Sequence, residues 1–370
     1  NIQATTMGKI RLWALYLPQY HPIKENNKWW GEGFTEWTNV GKAKKYFRNH
    51  YQPRVPADLG YYDLRVPEAR EAQAKMAKEH GIEGFIYWHY WFGNGKRLLE
   101  RPFNEVLASG KPDFPFALAW ANESWKGFAH GLKNRNVLIE QAYPGEADIV
   151  CHFNEVLPAF KDNRYIQVDN KPVFIIYKPY QLPDPMGFMK KWRNLAIENG
   201  LNGIYFIAQI QSSLDHKGKS EEDVQKELIG LGFDAVNFVR TNGWLEERPL
   251  VKKVRDKILN TIFKRPIIYS YKTNYKHFTK EIDKNDNIIP SIITGWDHTP
   301  RSGRRGYVMK KFTPKVFAEH LNVVWNSIKD KKEKIVIIKS WNEWAEGNYL
   351  EPDLKYGKSF LREIKEKFDE

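Results

Sequence analysis

The chain has few of the features that stabilise secreted and membrane proteins. It contains a single cysteine, Cys151, in 370 residues, which excludes an internal disulfide framework and fits a reducing compartment. Its apolar runs last only a few residues, whereas a membrane-spanning helix needs about 20. Residues 1–6 lack the basic start and apolar centre of a signal peptide. These absences predict a cytoplasmic protein, with a signal already removed as the alternative.

Several motifs of nucleotide and metal chemistry are also missing. No Gly-rich phosphate-binding fingerprint follows the first predicted strand. There is no Asp-x-Asp motif, since Asp283, Asp286 and Asp297 are spaced too widely for one. No His-x-x-x-His, cysteine pair or compact Asp cluster gives the spacing of a metal site. We therefore expect no metal and no cofactor.

Positive charge, in contrast, is in excess: the net charge is +13. The basic residues concentrate in stretches typical of solvated surfaces, at 42–45, 252–253, 329–332 and 365–367. No nucleic-acid fold signature accompanies them, so a nucleic-acid partner is not expected. Attraction to an anionic polysaccharide or to an acidic membrane surface fits the charge better. Peripheral membrane contact is therefore compatible with the sequence.

Eight short apolar runs rich in β-branched residues alternate with helix-type stretches. The runs are residues 10–17, 82–88, 114–120, 172–177, 203–209, 234–239, 288–293 and 335–340. The helix-type stretches are residues 66–78, 148–160, 186–198, 221–229, 314–328 and 358–368. Such alternation indicates parallel βαβ units, and eight of them indicate a closed barrel. The prediction is an α/β fold, a single (β/α)8 TIM barrel with long βα loops; a doubly wound open sheet is the alternative.

One domain is expected to cover residues 9–370. Residues 1–8 are expected to be an added or disordered start, because Met7 is a candidate natural first residue. Two connections are long. Residues 18–66 carry no clear strand, and residues 240–287 are rich in Lys and Arg and predict an excursion on the barrel rim. Long loops in compact domains tend to be functional.

Aromatic and polar residues crowd the ends of the predicted strands. The chain has 14 tryptophans, and ten of them lie in these motifs: Trp29, Trp30, Trp37, Trp88, Trp91, Trp120, Trp125, Trp296, Trp341 and Trp344. Active sites of TIM barrels lie at the C-terminal ends of the strands. Five of the eight strand ends therefore predict one shared site on this rim.

The most informative motif follows the last strand. Glu343 and Glu346 stand three residues apart beside Trp341 and Trp344. Glycosidic bond cleavage uses such a pair, one carboxyl to protonate the leaving oxygen and the other as base or nucleophile. Glu343 and Glu346 are therefore the predicted catalytic residues, although two glutamates at this spacing on a helix would ordinarily decorate a surface.

A second set of rim residues is predicted to bind substrate. It comprises His21, Trp30, Glu36, Trp37, Trp88, His89, Trp120, Asn122, Glu123, Trp125, Trp296, Asp297, Asn342 and Trp344. Several have structural alternatives: Asp297 could cap the next segment, and the aromatic residues could pack in the barrel. Glu123 has a catalytic alternative, because an Asn-Glu pair at a strand end holds the acid/base of many retaining glycosidases. It would then pair with Glu343.

Together these segments resemble the WbsX family of polysaccharide-biosynthesis proteins, which is related to glycoside hydrolase family 99. The resemblance runs from about residue 9 to the C-terminus and rests on five motifs. These are LPQYHP at 17–22, WWGEGFTEW at 29–37, GFIYWHYWF at 84–92, WANESW at 120–125 and WNEWAEG at 341–347.

The resemblance implies a (β/α)8 barrel that cleaves α-mannosidic bonds with retention of configuration. It implies that Glu343 deprotonates the 2-hydroxyl of the sugar, and that Glu346 is the general acid/base. Ala345 departs from the motif of family 99, which has histidine there, and this puts substrate identity in question.

The sequence thus predicts a glycoside hydrolase-like enzyme acting on a bacterial surface polysaccharide or a related oligosaccharide. Two rivals stay open. WbsX proteins have been labelled glycosyltransferases of O-antigen and capsule (lipopolysaccharide-type) gene clusters, and a non-catalytic glycan-binding barrel would keep the aromatic residues without needing the glutamate pair.

Overall fold

A computed structural model describes residues 8–127, 136–211, 213–216 and 218–369. Its centre is a parallel β-barrel of eight strands. In chain order these are β1 Arg11–Tyr16, β2 Gly84–Trp91, β3 Phe116–Trp120, β4 Lys171–Ile176, β5 Tyr205–Ile210, β6 Ala235–Phe238, β7 in two segments, Ile288–Ile289 and Ser291–Ile293, and β8 Ile335–Lys339.

The barrel closes through β7. Its first segment pairs with β6, and its second segment pairs with β8, where Ile292 lies opposite Ile338. Pro290 separates the two segments and has no N–H to donate to a ladder. Its carbonyl still accepts a hydrogen bond from the Ile337 N–H at 3.2 Å. The strand therefore changes partner at a proline without leaving that carbonyl unpaired.

Helices occupy the connections between the strands. They are α1 Lys24–Trp30, α2 Glu36–Gly41, α3 Pro67–Glu79, α4 Arg101–Ser109, α5 Glu146–Phe160, α6 Pro185–Glu198, α7 Glu221–Leu231, α8 Gly243–Glu247, α9 Leu250–Ile262, α10 Tyr271–Asn274, α11 Thr299–Ser302, α12 Pro314–Ile328 and α13 Ser359–Phe368. None of these described helices is both long and apolar enough to cross a membrane.

Short strands and 3-10 turns lie in the loops between the barrel strands and the helices. The strand pairs are Arg97–Leu98 with β2, Trp125–Lys126 with Val137–Ile139, Gln167–Val168 with β4, Ile267–Ser270 with Tyr307–Lys310, and Asn342–Glu343 with Asn348–Tyr349. The 3-10 turns are Pro179–Gln181, Ser213–His216, Tyr275–His277, Glu281–Lys284, Gly303–Arg305 and Trp344–Glu346.

Helix starts follow local capping chemistry. The Thr313 hydroxyl accepts a hydrogen bond from the Val316 N–H at 3.3 Å, and Pro314 takes the first position of α12. Ser220 caps α7 in the same way, accepting from the Asp223 N–H at 3.1 Å. Gly232 ends α7 with a φ of 116°, a conformation that disfavours residues with a Cβ. These signals explain why α7 and α12 begin where the sequence predicts.

The predicted (β/α)8 architecture is confirmed in each of its eight strands, with boundaries shifted by at most a few residues. The six predicted helices correspond to α3, α5, α6, α7, α12 and α13. The 18–66 connection has no named strand but contains α1 and α2, and the 240–287 excursion contains α8, α9 and α10. The predicted start at residues 1–8 lies outside the described residues except for Gly8.

Candidate active site

A tight turn after β8 positions the two predicted catalytic glutamates. Glu343 ends a short strand that pairs antiparallel with Asn348–Tyr349, and Glu346 closes the 3-10 turn between them. Gly347 follows with a φ of 60°, and a Cβ there would lie 2.7 Å from the Asp297 backbone nitrogen. The turn is thus pressed against the β7 loop, and only glycine fits at this contact.

Both glutamates line a cavity of about 220 Å³ at the C-terminal mouth of the barrel. Its walls come from most of the strand ends and are formed by Leu17, Gln19, Trp88, Tyr90, Ala121, Glu123, Trp125, Tyr177, Gln211, Trp296, Arg301, Lys339, Glu343 and Glu346. Aromatic rings thus surround three carboxyl groups and two cations. An enclosure of this kind suits a ligand with apolar faces and hydroxyl edges, as a sugar has.

Two buried cations hold the carboxyl groups in place. Arg301, on α11, donates from Nη1 to Glu346 Oε1 at 2.6 Å and from Nε to Glu36 Oε1 at 2.9 Å. Lys339, the last residue of β8, lies 3.3 Å from Glu343 Oε2 and 3.7 Å from Glu346 Oε2. Negative and positive side chains therefore alternate along a series of five: Glu36, Arg301, Glu346, Lys339 and Glu343.

The charges in this cluster leave one carboxyl unmatched. Arg301 and Lys339 balance two of the three carboxyls of Glu36, Glu343 and Glu346, so the third is stable when it is neutral. Burial, with the charge of Glu346 added, raises the pKa of Glu343 to about 7. Burial acts the same way on Glu346, but Arg301 and Lys339 outweigh it and lower its pKa. When the pair holds a single proton, that proton therefore resides mainly on Glu343.

The neighbouring groups keep that arrangement fixed. Burial would lower the pKa of Lys339, but the two glutamates outweigh it and raise this pKa, so the ammonium stays charged. Burial and the charge of Arg301 lower the pKa of His298 to about 3, so its imidazole is neutral. Lys339 also lies over the Trp296 ring, 5.4 Å from its centroid.

Glu123 lines the same cavity from the end of β3. Burial raises its pKa, and the nearby charge of Glu346 adds to this effect, while Lys178 opposes it. Glu123 is therefore the third carboxyl of the cavity and, after Glu343, the second whose pKa is raised. Its neighbour Asn122 instead holds the chain after β4, since its amide bonds both the N–H and the carbonyl of Lys178 at 2.7 and 2.9 Å.

Six of the predicted site residues meet in the cavity wall: Trp88, Glu123, Trp125, Trp296, Glu343 and Glu346. The other ten do not line it. They fall into three groups. Some support the charged wall, formed by Arg301, Lys339 and the glutamates paired with them. Some support the floor, which is the chain around Asn342 and Trp344, and the rest lie elsewhere.

Glu36 and Asp297 support the charged wall. Glu36 is fully buried, takes Arg301 on one oxygen and accepts from Gln19 Nε2 at 2.9 Å on the other. Asp297 accepts from the Thr299 N–H at 2.9 Å, a local bond to the first residue of α11. Its second oxygen contacts His50 Nε2 at 2.7 Å. Both carboxylates thus position α11, which carries Arg301.

Asn342, Trp344 and Trp37 support the floor. The Asn342 side chain bonds the backbone of Leu17 at both its carbonyl and its N–H, at 3.0 and 2.7 Å. Trp344 is buried and stacks on Tyr349 with ring centroids 3.9 Å apart. The Trp37 ring packs at a tilt against Trp344 and edge-on against Tyr62, and its Nε1 donates to the Tyr62 carbonyl.

The remaining predicted residues face other parts of the molecule. His89 contacts His152 on α5, with 2.8 Å between the two Nε2 atoms, and burial lowers the pKa of both. Trp120 packs against Phe188 and borders a different cavity of about 470 Å³ between α5 and α6. His21 is buried, and Trp30 stacks on Phe34.

A buried carboxyl that the sequence analysis missed holds the floor together. Glu351 accepts hydrogen bonds from the Tyr62 hydroxyl, from Gln73 Nε2, and from the indole nitrogens of Trp341 and Trp344, at 2.6 to 3.1 Å. Burial raises its pKa to about 7 even with four donors. One side chain therefore links the 18–66 connection, α3 and the chain after β8.

Replacing Glu351 by leucine is expected to destabilise the fold by about 3 kcal/mol or more, because it leaves buried donors without an acceptor. Thermal denaturation below neutral pH measures this. Burial favours the protonated form in the folded chain, so the contribution of Glu351 is full below about pH 4.5, the ordinary pKa, and is lost as the pH rises through about 7. The exposed Glu366→Leu variant is the control. Equal melting temperatures for both variants would contradict the role of Glu351.

The sequence analysis also missed several cavity residues. Arg301, Lys339, Tyr90, Tyr177 and Gln211 line the cavity without having been predicted. Lys339 had a usable signal, because a lysine that ends an otherwise apolar strand needs a buried partner. Among the described residues, no group of three or more His, Cys, Asp or Glu side chains could hold a metal ion.

Comparison with known proteins identifies the family. The family model described as "Glycosyltransferase WbsX" matches residues 12–364. Two proteins named WxcX, from two strains of Xanthomonas campestris pv. campestris, are each 34% identical to the chain and cover 94% of it. The chain spans only 48% of their length, about half of these curated relatives.

Solved structures share the fold at low sequence identity. A glycoside hydrolase-like protein superposes with a TM-score of 0.60 at 16% identity, covering 100% of this chain and 96% of its own. A family 99 endo-α-mannosidase from Bacteroides thetaiotaomicron superposes with a TM-score of 0.58 at 14% identity, covering 97% and 96%. The chain therefore belongs to the WbsX family and has a glycoside hydrolase-like α/β barrel fold.

Proposed function

We propose that this chain is a glycoside hydrolase acting on a glycosidic bond of a bacterial surface polysaccharide or a related oligosaccharide. The observation that carries this proposal is the pair Glu343 and Glu346, two mutually hydrogen-bonded carboxyls in an aromatic cavity. One has the raised pKa of an acid and the other the lowered pKa of a base. Divergent pKa values in neighbouring carboxyls are how glycosidases obtain an acid and a base at one pH.

The local charges favour Glu343 as the acid. Its proton would pass to the leaving oxygen as the glycosidic bond breaks, and Glu346, held ionised by Arg301, would act on the sugar as base or nucleophile. Water then completes the reaction, giving its proton to the glutamate that lost one. The resemblance to family 99 implies the opposite assignment, with Glu346 as acid/base. The charge cluster around Arg301 and Lys339 is our reason for preferring the first.

The closeness of the two carboxyls favours retention of configuration. Carboxyl groups in inverting enzymes stand about 6.5–9.5 Å apart to admit a water molecule between acid and base. Glu343 and Glu346 share a hydrogen bond, so this pair is far closer than that. It is also closer than the roughly 5–5.5 Å of retaining enzymes that use a carboxylate nucleophile, so the geometry suits best a retaining route through the substrate's own 2-hydroxyl.

The aromatic lining indicates how the glycan is held. Trp88, Trp125, Trp296, Tyr90 and Tyr177 border the cavity around the carboxyls. Their rings can pack on the apolar faces of sugars, while Glu123 can accept charge-assisted hydrogen bonds from hydroxyl groups. Peptide and nucleotide ligands have less use for this combination of flat apolar walls and central carboxyls.

Glycosyl transfer is the second candidate, since the family model is described as a glycosyltransferase. A transferase with a nucleotide-sugar donor would need groups for a diphosphate. Arg301 and Lys339, the two cations of this cavity, are already paired with glutamates. Transfer from one glycan to another would use the same pair as hydrolysis and would differ only in the acceptor.

Product release tests the proposal. Mannose- and rhamnose-containing glycans and surface polysaccharides would be incubated without nucleotide sugars and analysed by mass spectrometry. We expect cleavage by the wild type and none by the Glu343→Gln/Glu346→Gln double variant. Products that appear only after a nucleotide sugar is added would replace hydrolysis with transfer. Glycan binding without any product would make the barrel a binding module.

A further inference from the structure

Helix α9 presents apolar side chains to solvent. Leu250, Val251, Val254, Ile258 and Ile262 are 74%, 79%, 50%, 46% and 66% exposed. At 100° per residue they share one face of the helix. Among the described residues they form the most concentrated group of exposed large apolar side chains, and Phe263, 68% exposed, follows directly.

The side of α9 that faces the protein is polar instead. Asp256 is buried and forms ion pairs with Arg248 at 2.9 Å and Arg255 at 3.3 Å. Asn260 donates to the Arg304 carbonyl, and Arg304 Nη1 returns a hydrogen bond to the Asn260 carbonyl at 3.1 Å. A surface helix normally buries its apolar face and exposes its polar one. Helix α9 does the reverse, so its apolar face is available to another surface.

Basic residues surround this face. Residues 248–265 contain seven Lys and Arg and a single acidic residue, the buried Asp256. Lys252, Lys253, Lys257 and Lys264 are exposed. An apolar stripe flanked by lysines is the pattern of helices that lie in the plane of a bilayer, with the stripe among the acyl chains and the lysines at anionic headgroups.

We propose that α9 docks this chain on an anionic lipid bilayer, lying parallel to the surface with its apolar face inserted. Charge complementarity selects this occupant over a second copy of the chain. A dimer through α9 would bring two strongly basic segments together, and such like-charge contact opposes association. Anionic headgroups neutralise the same lysines.

The docking face belongs to the same rim as the active-site cavity. Helix α9 follows the end of β6, and its Asn260 is hydrogen-bonded to the turn that follows Arg301. Docking through α9 would therefore hold the cavity mouth near the lipid surface. This inference does not depend on the reaction, so it stands or fails separately from the proposed hydrolase activity.

Vesicle sedimentation tests the proposal with the whole chain. We expect the wild type to bind vesicles of phosphatidylcholine mixed with phosphatidylglycerol, and to bind phosphatidylcholine alone far more weakly. A Val254→Asp/Ile258→Asp variant should lose at least about tenfold in partition. A Lys253→Gln/Lys257→Gln variant should lose about twenty-fivefold, since each basic residue near an anionic surface contributes about a factor of five.

Ile197→Asp is the matched control, because Ile197 is 59% exposed on α6. It should bind vesicles like the wild type, and all variants should keep the melting temperature of the wild type. Absence of binding, or equal binding by the α9 variants, would overturn the proposal. So would a wild-type dimer in light scattering that becomes monomeric in Val254→Asp/Ile258→Asp, because α9 would then be a self-association surface.

Discussion

Glu343→Gln and Glu346→Gln variants are each expected to lose about 10²–10⁴ of kcat/KM on a natural glycan, the range that a positioned acid or base contributes. Glutamine keeps the shape of either side chain but can neither give nor take the proton. The measurement is the rate of product release on whichever glycan the wild type cleaves. The exposed Glu366→Gln variant should match the wild type.

Activated substrates separate the two roles. An aryl glycoside with a good leaving group needs little help from an acid, so Glu343→Gln should recover most of its rate on it while Glu346→Gln stays slow. The reverse pattern would restore the assignment implied by family 99. Full activity of both variants on the natural glycan would remove the pair from the chemistry and direct attention to Glu123.

The pH dependence follows from the same charges. Activity should fall as the pH rises through about 7, because Glu343 loses its proton there. On the acid side it should persist below the ordinary carboxyl range, since Arg301 and Lys339 hold the pKa of Glu346 down. The two limbs belong to the coupled pair, so each reports a property of both carboxyls.

Arg301→Met is expected to destabilise the fold by about 3–5 kcal/mol, the cost of leaving a buried charge without its partner. Glu36 and Glu346 would both lose the cation that lies 2.8 and 2.6 Å from them. Without it, the pKa of Glu346 should rise and move the acid limb of the pH profile toward neutrality. Thermal denaturation and kcat/KM across pH measure the two effects.

Arg304→Met is the matched control for Arg301. Arg304 lies three residues away, is exposed, and bonds a backbone carbonyl of α9. It should leave the acid limb where it is. If Arg301→Met lowers activity with an unchanged pH profile, Arg301 serves only to hold α11 in place and does not tune Glu346.

Much of the architecture could be predicted from the sequence because each barrel strand is a short, wholly apolar run bounded by polar turns. The Ile335–Lys339 strand and the Pro314–Ile328 helix show this, since period and caps agree. The residues that line the cavity were harder to predict. Strands buried on both faces show no alternation, so the sequence of β2 and β3 does not reveal that Trp88 faces the cavity while His89 and Trp120 face helices.

The residues of the charged wall could not be predicted from neighbouring sequence, for a different reason. Arg301 reaches Glu36 across 265 positions of the chain and Glu346 across 45, and no spacing in the sequence encodes either pairing. Only the fold brings the three side chains together. The sequence shows two neighbouring glutamates that would need a counterion if they were buried, but it does not show which residue supplies it.

The bond between Asn342 and Leu17 has a consequence for the order of synthesis. It joins residues 325 positions apart, so the peptide group of Leu17 waits for its partner until more than 320 further residues have been made. Glu351, emerging later still, is the acceptor for Tyr62. The 18–66 connection is thus made well before the residues that fix it. A nascent chain that stops before Asn342 can form most of the strands, yet it has no floor for the cavity.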